Sequence, residues 1–286
     1  MQFNYLNGKF LYKHESNIST EDRGFNFADG VYEVIAFRKK TLLNYSKHIA
    51  RLRYSLKNLK INSPLTNLYS LNFILKHLIN INFLEHGFLY LQITRGSSER
   101  NHLFSSELKS NIFISVFPVK DLSKYKKKGV NVLTSRDIRW KRCDIKSISL
   151  LPNVLGKQAA FDMKAYEIWQ KKKNYITEGT TSNAFIVKDK KIFTHQKNNN
   201  ILSGVTRDIV VEIIKNKNKK IRILEKKFSI DEAYNADEAF LTSTTVGVLP
   251  VIRIDKKKVS NGKIGSLTKE IMCDYEEYLK RQIKHE

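Results

Sequence analysis

Cysteine is nearly absent. Cys143 and Cys273 are the only two in 286 residues, and neither belongs to a CxxC pair or a Cys/His cluster. That argues against a disulfide framework and a structural zinc site, leaves no bound metal to expect, and fits a reducing compartment. Acidic residues are also scarce, with 28 Asp and Glu against 51 Lys and Arg, a formal net charge of +23 and a pI near 9.8. A surplus of that size would point to nucleic acid or a membrane surface. It is spread along the whole chain, however, in short runs such as Lys39-Lys40, Lys126-Lys127-Lys128, Lys171-Lys172-Lys173, Lys219-Lys220 and Lys256-Lys257-Lys258, which read as solvated faces and turns. No aromatic-plus-basic strand motif accompanies them, so neither nucleic acid nor membrane is an expected partner. No apolar run approaches a membrane-spanning length, and Met1–Gly8 lacks the basic-then-apolar pattern of a signal peptide. A soluble, cytoplasmic protein is expected.

What is present is enough chain for a sizeable core, in one large domain or two modest ones. Residues 1 to 13 alternate around Asn7-Gly8 as a hairpin, and Val31–Phe37 pairs with Thr41–Asn44 across Arg38-Lys39-Lys40. Ser46 should cap a helix with Ile49, Leu52, Leu56 and Leu59 at helical spacing, and a second helix should run from Asn67 to about Asn80. Phe88–Arg95 and Ile112–Val119 are strand-like. This first half is α+β. Residues 121–129 are lysine-rich and without apolar periodicity, which makes them the linker between a smaller domain, 1–120, and a larger one, 130–286. The larger part should hold strands near Val130–Thr134, Ala184–Lys188, Lys191–Thr194, Ile221–Lys226 and Glu238–Thr242. Its helices should lie near Val154–Lys172 and Thr206–Asn216, with a final one opened by Gly265-Ser266.

Lys146 stands out because a run of Ile, Leu and Val that reads as buried chain follows it at once. A buried ammonium is costly unless it is paired or consumed by chemistry, and a desolvated lysine is a good nucleophile for carbonyls. Glu178 lies in a polar segment, Ile176–Asn183, directly before an apolar strand, where it could face inward as the acidic partner of a pyridine nitrogen. A Glu-Gly with Thr and Ser is also an ordinary turn. Leu202-Ser203-Gly204-Val205-Thr206 runs into a helix, and helix N-termini bind phosphate through free N–H groups. Thr206 as a plain N-cap is compatible with the same pattern. Ser243-Thr244-Thr245 offers further short donors after a strand. Arg51 is either a surface arginine or a phosphate ligand. Arg100 and His102 could grip a carboxylate or stand solvated.

Together these segments resemble the class IV pyridoxal-phosphate aminotransferases of fold type IV, and within them the D-amino acid branch. Asp22–Val34, His48–Leu52 and Thr94-Arg95-Gly96 with Arg100 and His102 are similar to the family's N-terminal signature. Asp144-Ile145-Lys146-Ser147, Thr177-Glu178-Gly179 with Ser182-Asn183, and Gly204–Asp208 are similar to its cofactor signature. The order and spacing extend from about residue 1 to about residue 255.

The resemblance implies an α/β protein with an α+β N-terminal domain and a C-terminal pseudo-barrel α/β domain, acting as a homodimer. It implies Lys146 as the catalytic lysine that forms a Schiff base with pyridoxal 5'-phosphate and moves the substrate proton. Glu178 would pair with the pyridine nitrogen. Arg51, Val205, Thr206, Ser243, Thr244 and Thr245 would hold the phosphate, and Leu202 would pack on the ring. Tyr32, Arg100 and His102 would take the substrate carboxylate, the Arg-x-His loop reaching across the dimer interface. The implied reaction is amino transfer from D-alanine or a similar D-amino acid to 2-oxoglutarate, giving pyruvate and D-glutamate, with supply of D-amino acids for a bacterial cell wall as the implied role. Branched-chain L-amino acid aminotransferases and aminodeoxychorismate lyases are alternatives of the same fold. Both differ around the lysine, and the former lack the Arg-x-His trap. Glu99, where a proline is often seen, and Pro152 depart from the pattern.

Overall fold

The computed structural model describes residues 2–65, 68–217 and 221–284. The chain forms two compact units. One holds residues 1–120 with 145–149 and 282–286, and the other holds 121–144 with 150–281.

The first unit is built on β1 (Phe3–Leu6), β2 (Lys9–Tyr12), β3 (Gly30–Arg38), β4 (Thr41–Leu42), β5 (His86–Thr94) and β6 (Asn111–Pro118), with helices α1 (Arg23–Phe27), α2 (Tyr45–Leu59) and α3 (Leu68–Ile81). The expected start of α3 at Asn67 lies outside the described residues. The strands form one antiparallel sheet in the order β2-β1-β6-β5-β3-β4. Asn7 and Gly8 both adopt positive φ in the first hairpin, and Lys39 and Lys40 do so between β3 and β4, the twist that two-residue hairpin turns require. Alternation along β3 sends Val31, Glu33, Ile35 and Phe37 to the core face, where Ile49, Leu52 and Leu56 of α2 and Leu71, Leu75 and Leu78 of α3 complete the packing. Ser46 is not the cap of α2: the helix starts at Tyr45, two residues earlier than that cap would allow, after Asn44, which takes a left-handed conformation and gives no side-chain cap.

Residues 145–149 group with this unit because they run antiparallel beside the start of β3. Val31 bridges to Ser147, Tyr32 N donates to Lys146 O at 3.0 Å, and Ile148 N donates to Gly30 O at 3.1 Å. The approach is tight enough to demand glycine at position 30, where a Cβ would lie 2.7 Å from Ile93 O and 2.9 Å from Ile148 Cδ1.

The second unit contains α4 (Ser123–Lys128), β7 (Val130–Arg136), α5 (Leu151–Asp162), β8 (Glu167–Lys172), β9 (Tyr175–Gly179), β10 (Asn183–Lys188), β11 (Lys191–Thr194), α6 (Val205–Lys217), β12 (Arg222–Glu225), α7 (Ile230–Tyr234), β13 (Glu238–Ser243), β14 (Gly247–Ile254), β15 (Lys257–Lys258) and α8 (Ser266–Lys284), whose last residues are grouped with the first unit. The sheet order is β12-β11-β10-β13-β14-β7-β8-β9, with β15 on β14. End strand β9 also packs against β10, so the sheet curls back on itself. The stacked rings of Phe185 and Phe240 and the fully buried Trp169 lie within it. Glu238 caps α8, accepting from Leu267 N at 3.0 Å and Thr268 N at 2.6 Å.

Within the expected linker, Ser123–Lys128 forms α4, which packs on β14. Two expectations need correction here. The helix expected over Val154–Lys172 ends at Asp162, because Lys164 turns to positive φ and Glu167–Lys172 pairs with β7 and β9 as a buried strand. The apolar run after Lys146 is not buried either: Leu151, Val154 and Leu155 are 68%, 58% and 56% exposed, since α5 buries only Ala160.

Candidate active site

Lys146 stands in a small polar cluster of the first unit. Its backbone N–H donates to the buried Ser55 Oγ at 3.1 Å, and its Nζ lies 4.0 Å from the centre of the Tyr32 ring. That ring face is the ammonium's partner; no carboxylate pairs with it among the described residues. Lys146 is half-buried, with an amine that no acceptor among those residues holds. Strand alternation puts Tyr32 and Glu33 on opposite faces of β3. Tyr32 packs on Tyr90, with ring centres 5.7 Å apart. Glu33 is fully buried and accepts from His48 Nδ1 at 2.8 Å and from Arg51 through both Nε and Nη2 at 2.8 Å. The expected phosphate ligand Arg51 is thus oriented by a carboxylate that sequence reasoning gave no role. Ser55 sits one turn beyond Arg51 on α2.

Burial pushes the Glu33 carboxyl up, but the charge and hydrogen bonds of Arg51, joined by His48, outweigh it and bring it down to about 2. Burial drives His48 the other way, below its usual range, so its neutral ring donates from Nδ1 to an ionised Glu33. A carboxyl that holds its proton more weakly folded than unfolded stabilises the fold above its unfolded value, and that contribution disappears as the pH falls. From the ordinary value to about 2, the linkage is worth on the order of 3 kcal/mol. Urea unfolding should therefore show stability falling between about pH 4.5 and 2, and Glu33→Gln should remove that part of the slope. An unchanged slope in the variant would exclude Glu33 as its source.

In the second unit Glu178 is buried at the end of β9 and surrounded by donors. Asn183 Nδ2 lies 2.9 Å from Oε2, Leu202 N is 3.1 Å from both oxygens, and Arg139 Nη1 donates to Oε1. Arg139 also donates to Asp137, through Nε at 3.0 Å and Nη2 at 2.8 Å, and to Asn200 O at 3.1 Å. Thr177 Oγ1 closes the network by donating to Asp137 at 2.9 Å. Burial raises the Glu178 carboxyl and Arg139 lowers it; the net direction is upward, while every donor aimed at its oxygens favours the ionised form. Burial works against the charge on Arg139, but Glu178 and Asp137 outweigh it and hold the guanidinium charged.

The same network reaches the start of α6. Asn183 Nδ2 donates to Leu202 O at 3.0 Å, and a Cβ on Gly204 would lie 2.0 Å from Asn183 Oδ1. Only glycine lets the chain pass there. Val205 and Thr206 are both within α6, so Thr206 is not its N-cap; both are buried in a first turn whose N–H groups have no intrahelical acceptor. Asn183 pairs with Thr242 across β10 and β13, which sets the Ser243–Thr245 turn at the same end of the sheet, with Ser243 Oγ 3.2 Å from Thr245 Oγ1. Leu202 meets Glu178 through its backbone.

Arg100 and His102 are exposed in the long connection between β5 and β6, on the ring of Phe27. No hydrogen bond or ring contact joins them to Tyr32 or Lys146 among the described residues. The missed residues Arg139 and Asp137 lie two apart in the loop after β7 and carry little local signal, because Glu178 and Thr177, which complete their network, are about 40 residues further on. Glu33 carries one: it is the acid in the alternation Val31-x-Glu33-x-Ile35-x-Phe37.

These donor sets suit three chemical features: an unheld lysine amine for a carbonyl, a buried carboxylate for a basic ring nitrogen, and a glycine-led helix start with hydroxyls for a phosphate. Residues 30–254 match the model of the family described as amino-transferase class IV. The chain belongs to that family. As a class IV aminotransferase it is 39% identical over 266 residues to a D-alanine aminotransferase of Bacillus licheniformis, covering 93% of each chain. It is 38% identical over 278 residues to a D-alanine aminotransferase of Staphylococcus aureus (strain MSSA476), covering 96% of this chain and 97% of that one. Among solved structures, the branched-chain amino acid aminotransferase of Escherichia coli superposes with a TM-score of 0.90 at 21% identity, over 97% and 94% of the two chains. That of Thermoproteus uzoniensis gives 0.87 at 22% identity, over 98% and 95%. At such identity these structures establish the α/β fold of the class IV aminotransferases and nothing finer.

Proposed function

We propose that this aminotransferase moves the amino group of D-alanine or a similar D-amino acid to 2-oxoglutarate, giving pyruvate and D-glutamate, with pyridoxal 5'-phosphate carried as a Schiff base on Lys146. The observation that carries the reading is the Lys146 amine, half-buried at the Tyr32 ring with no carboxylate among the described residues to hold it. When bound, the cofactor supplies an electron sink for the pair left on the substrate Cα. Lys146 Nζ, freed when the substrate amine takes its place, would accept the proton from Cα of the amino donor and deliver one to Cα of the amino acid formed from 2-oxoglutarate, from the same side each time, which sets the stereochemistry. Glu178, kept in place by Arg139, Asn183 and Leu202, holds the proton on the pyridine nitrogen. Arg51, the N–H groups of Val205 and Thr206, and the hydroxyls of Ser243, Thr244 and Thr245 bind the phosphate, while Leu202 packs on the ring. Tyr32, Arg100 and His102 bind the substrate carboxylate.

The Arg-x-His pair and the identity to D-alanine aminotransferases favour the D-amino acid branch. We assign a homodimer, in which each Arg100–His102 loop serves the other copy; exposed Leu151, Val154, Leu155 and Phe161 on α5 offer apolar surface for a second chain. A cytoplasmic location goes with the same reading. The test is a panel of D- and L-amino donors with 2-oxoglutarate, together with borohydride reduction of the holoenzyme and peptide mapping. D-alanine should be preferred and the cofactor should map to Lys146. Preference for L-leucine would instead place the chain with the branched-chain enzymes, and label on another lysine would remove Lys146 from the reaction.

A further inference from the structure

The connection from β5 to β6, residues 95–110, has neither helix nor strand, yet the part bearing Arg100 and His102 is not left loose. Beneath it lies Arg23, 3% exposed, the first residue of α1. Its Nη1 donates to Asn101 O at 2.6 Å and Leu103 O at 3.4 Å, and its Nη2 to His102 O at 3.4 Å. One guanidinium therefore gathers three successive carbonyls, which only its planar fork of donors can do. The fork is itself fixed. Arg23 Nε pairs with Asp29 Oδ2 at 3.0 Å, and Asp29 is held from the other side by Arg95 at 2.6 and 2.9 Å. The centre of the Phe104 ring lies 3.6 Å from the Arg95 guanidinium carbon and 5.9 Å from that of Arg23. Phe27, on the same short helix, carries both Arg100 and His102 on its ring. Arg95 also donates to Lys60 O and Leu59 O, each at 2.7 Å, at the end of α2.

We infer that Arg23 is a positioning residue for substrate recognition: it sets the backbone of residues 101–103, and so the place where Arg100 and His102 meet the substrate carboxylate. The inference deepens the proposed function and rests on its assignment of Arg100 and His102. A carboxylate is common to the amino donor and the oxo-acid acceptor, so loosening this loop weakens both substrates alike. It leaves the proton transfer at Lys146 intact.

The experiment uses holoenzyme variants Arg23→Lys, which keeps the charge but not the fork, and Phe104→Ala, which loosens the same loop from a half-exposed position should Arg23→Lys fail to fold. Arg100→Gln is assayed beside them. Steady-state kinetics should show KM for D-alanine and for 2-oxoglutarate rising together by about tenfold with kcat within about twofold, the pattern of lost uniform binding. Cofactor affinity, read by spectral titration with pyridoxal phosphate, should stay unchanged. If Arg100→Gln raises both KM values while neither Arg23→Lys nor Phe104→Ala does, the positioning role is overturned and the carboxylate assignment stands. If Arg100→Gln leaves both KM values alone, that assignment itself fails. A fall in cofactor affinity parallel to the rise in KM would show that Arg23 merely supports the fold.

Discussion

Replacing Lys146 with alanine should abolish transamination, with at least about 10²–10⁴-fold lost from the proton-transfer role alone. The expectation comes from the surroundings of the amine. Most lysines in this chain are solvated or paired with carboxylates, as Lys126 is with Glu276 and Lys197 with Asp208. Lys146 Nζ has the Tyr32 ring instead. Its position is fixed by the backbone, through Tyr32 N to its carbonyl and through its own N–H to Ser55 Oγ. Removing the side chain therefore deletes the chemistry with little change to the scaffold. Single-turnover exchange of the D-alanine Cα hydrogen with solvent should vanish together with net transfer, while the unfolding midpoint stays near that of the parent. Survival of Cα exchange in Lys146→Ala would assign the base to another residue.

Arg139→Met should produce the largest loss of stability, about 3–5 kcal/mol, because it strands two buried carboxylates with no cation between them. Asp137 is held below the usual carboxylate range: burial raises it, and the hydrogen bonds and charge of Arg139 outweigh that. Without Arg139 both Asp137 and Glu178 bind protons more tightly folded than unfolded. Such groups cost nothing below their unfolded values and destabilise increasingly as the pH rises above them. The deficit measured by urea unfolding should therefore be larger at pH 8 than at pH 4. An equal deficit at the two pH values would mean that lost packing, not uncompensated charge, is the cause. Arg139→Lys keeps a charge but not the fork that serves Asp137, Glu178 and Asn200 together, and should fall between the two.

Elements whose partners are close in sequence are legible from residue order alone. The Asn7-Gly8 hairpin, β3 with its turn at Lys39-Lys40, β11 and the start of α8 follow from turn chemistry and apolar period. The strand β8 is not legible in this way, because Glu167–Lys172 extends an acceptable helical pattern and becomes strand only through pairing with β7 and β9. Glu178 reads as part of a loop, whereas it ends a strand. The same limit applies to the site. Lys146, Glu178 and the Gly204 segment can be picked out by residue type and neighbours. Arg139 cannot, since the carboxylate that gives it meaning is 39 residues away. Glu33 can be, as an acid on the buried face of a strand needs a cation, and Arg51 with His48 lies on the next helix.

Asn183 gives the second unit a fixed internal ruler. Its amide nitrogen spans Glu178 Oε2 and Leu202 O, and its oxygen abuts Gly204. The carboxylate and the glycine-led start of α6 are therefore gauged against one rigid side chain planted on β10. Neither end can drift without dragging the other. Under the proposed function, a cofactor that engages both must match that span in length.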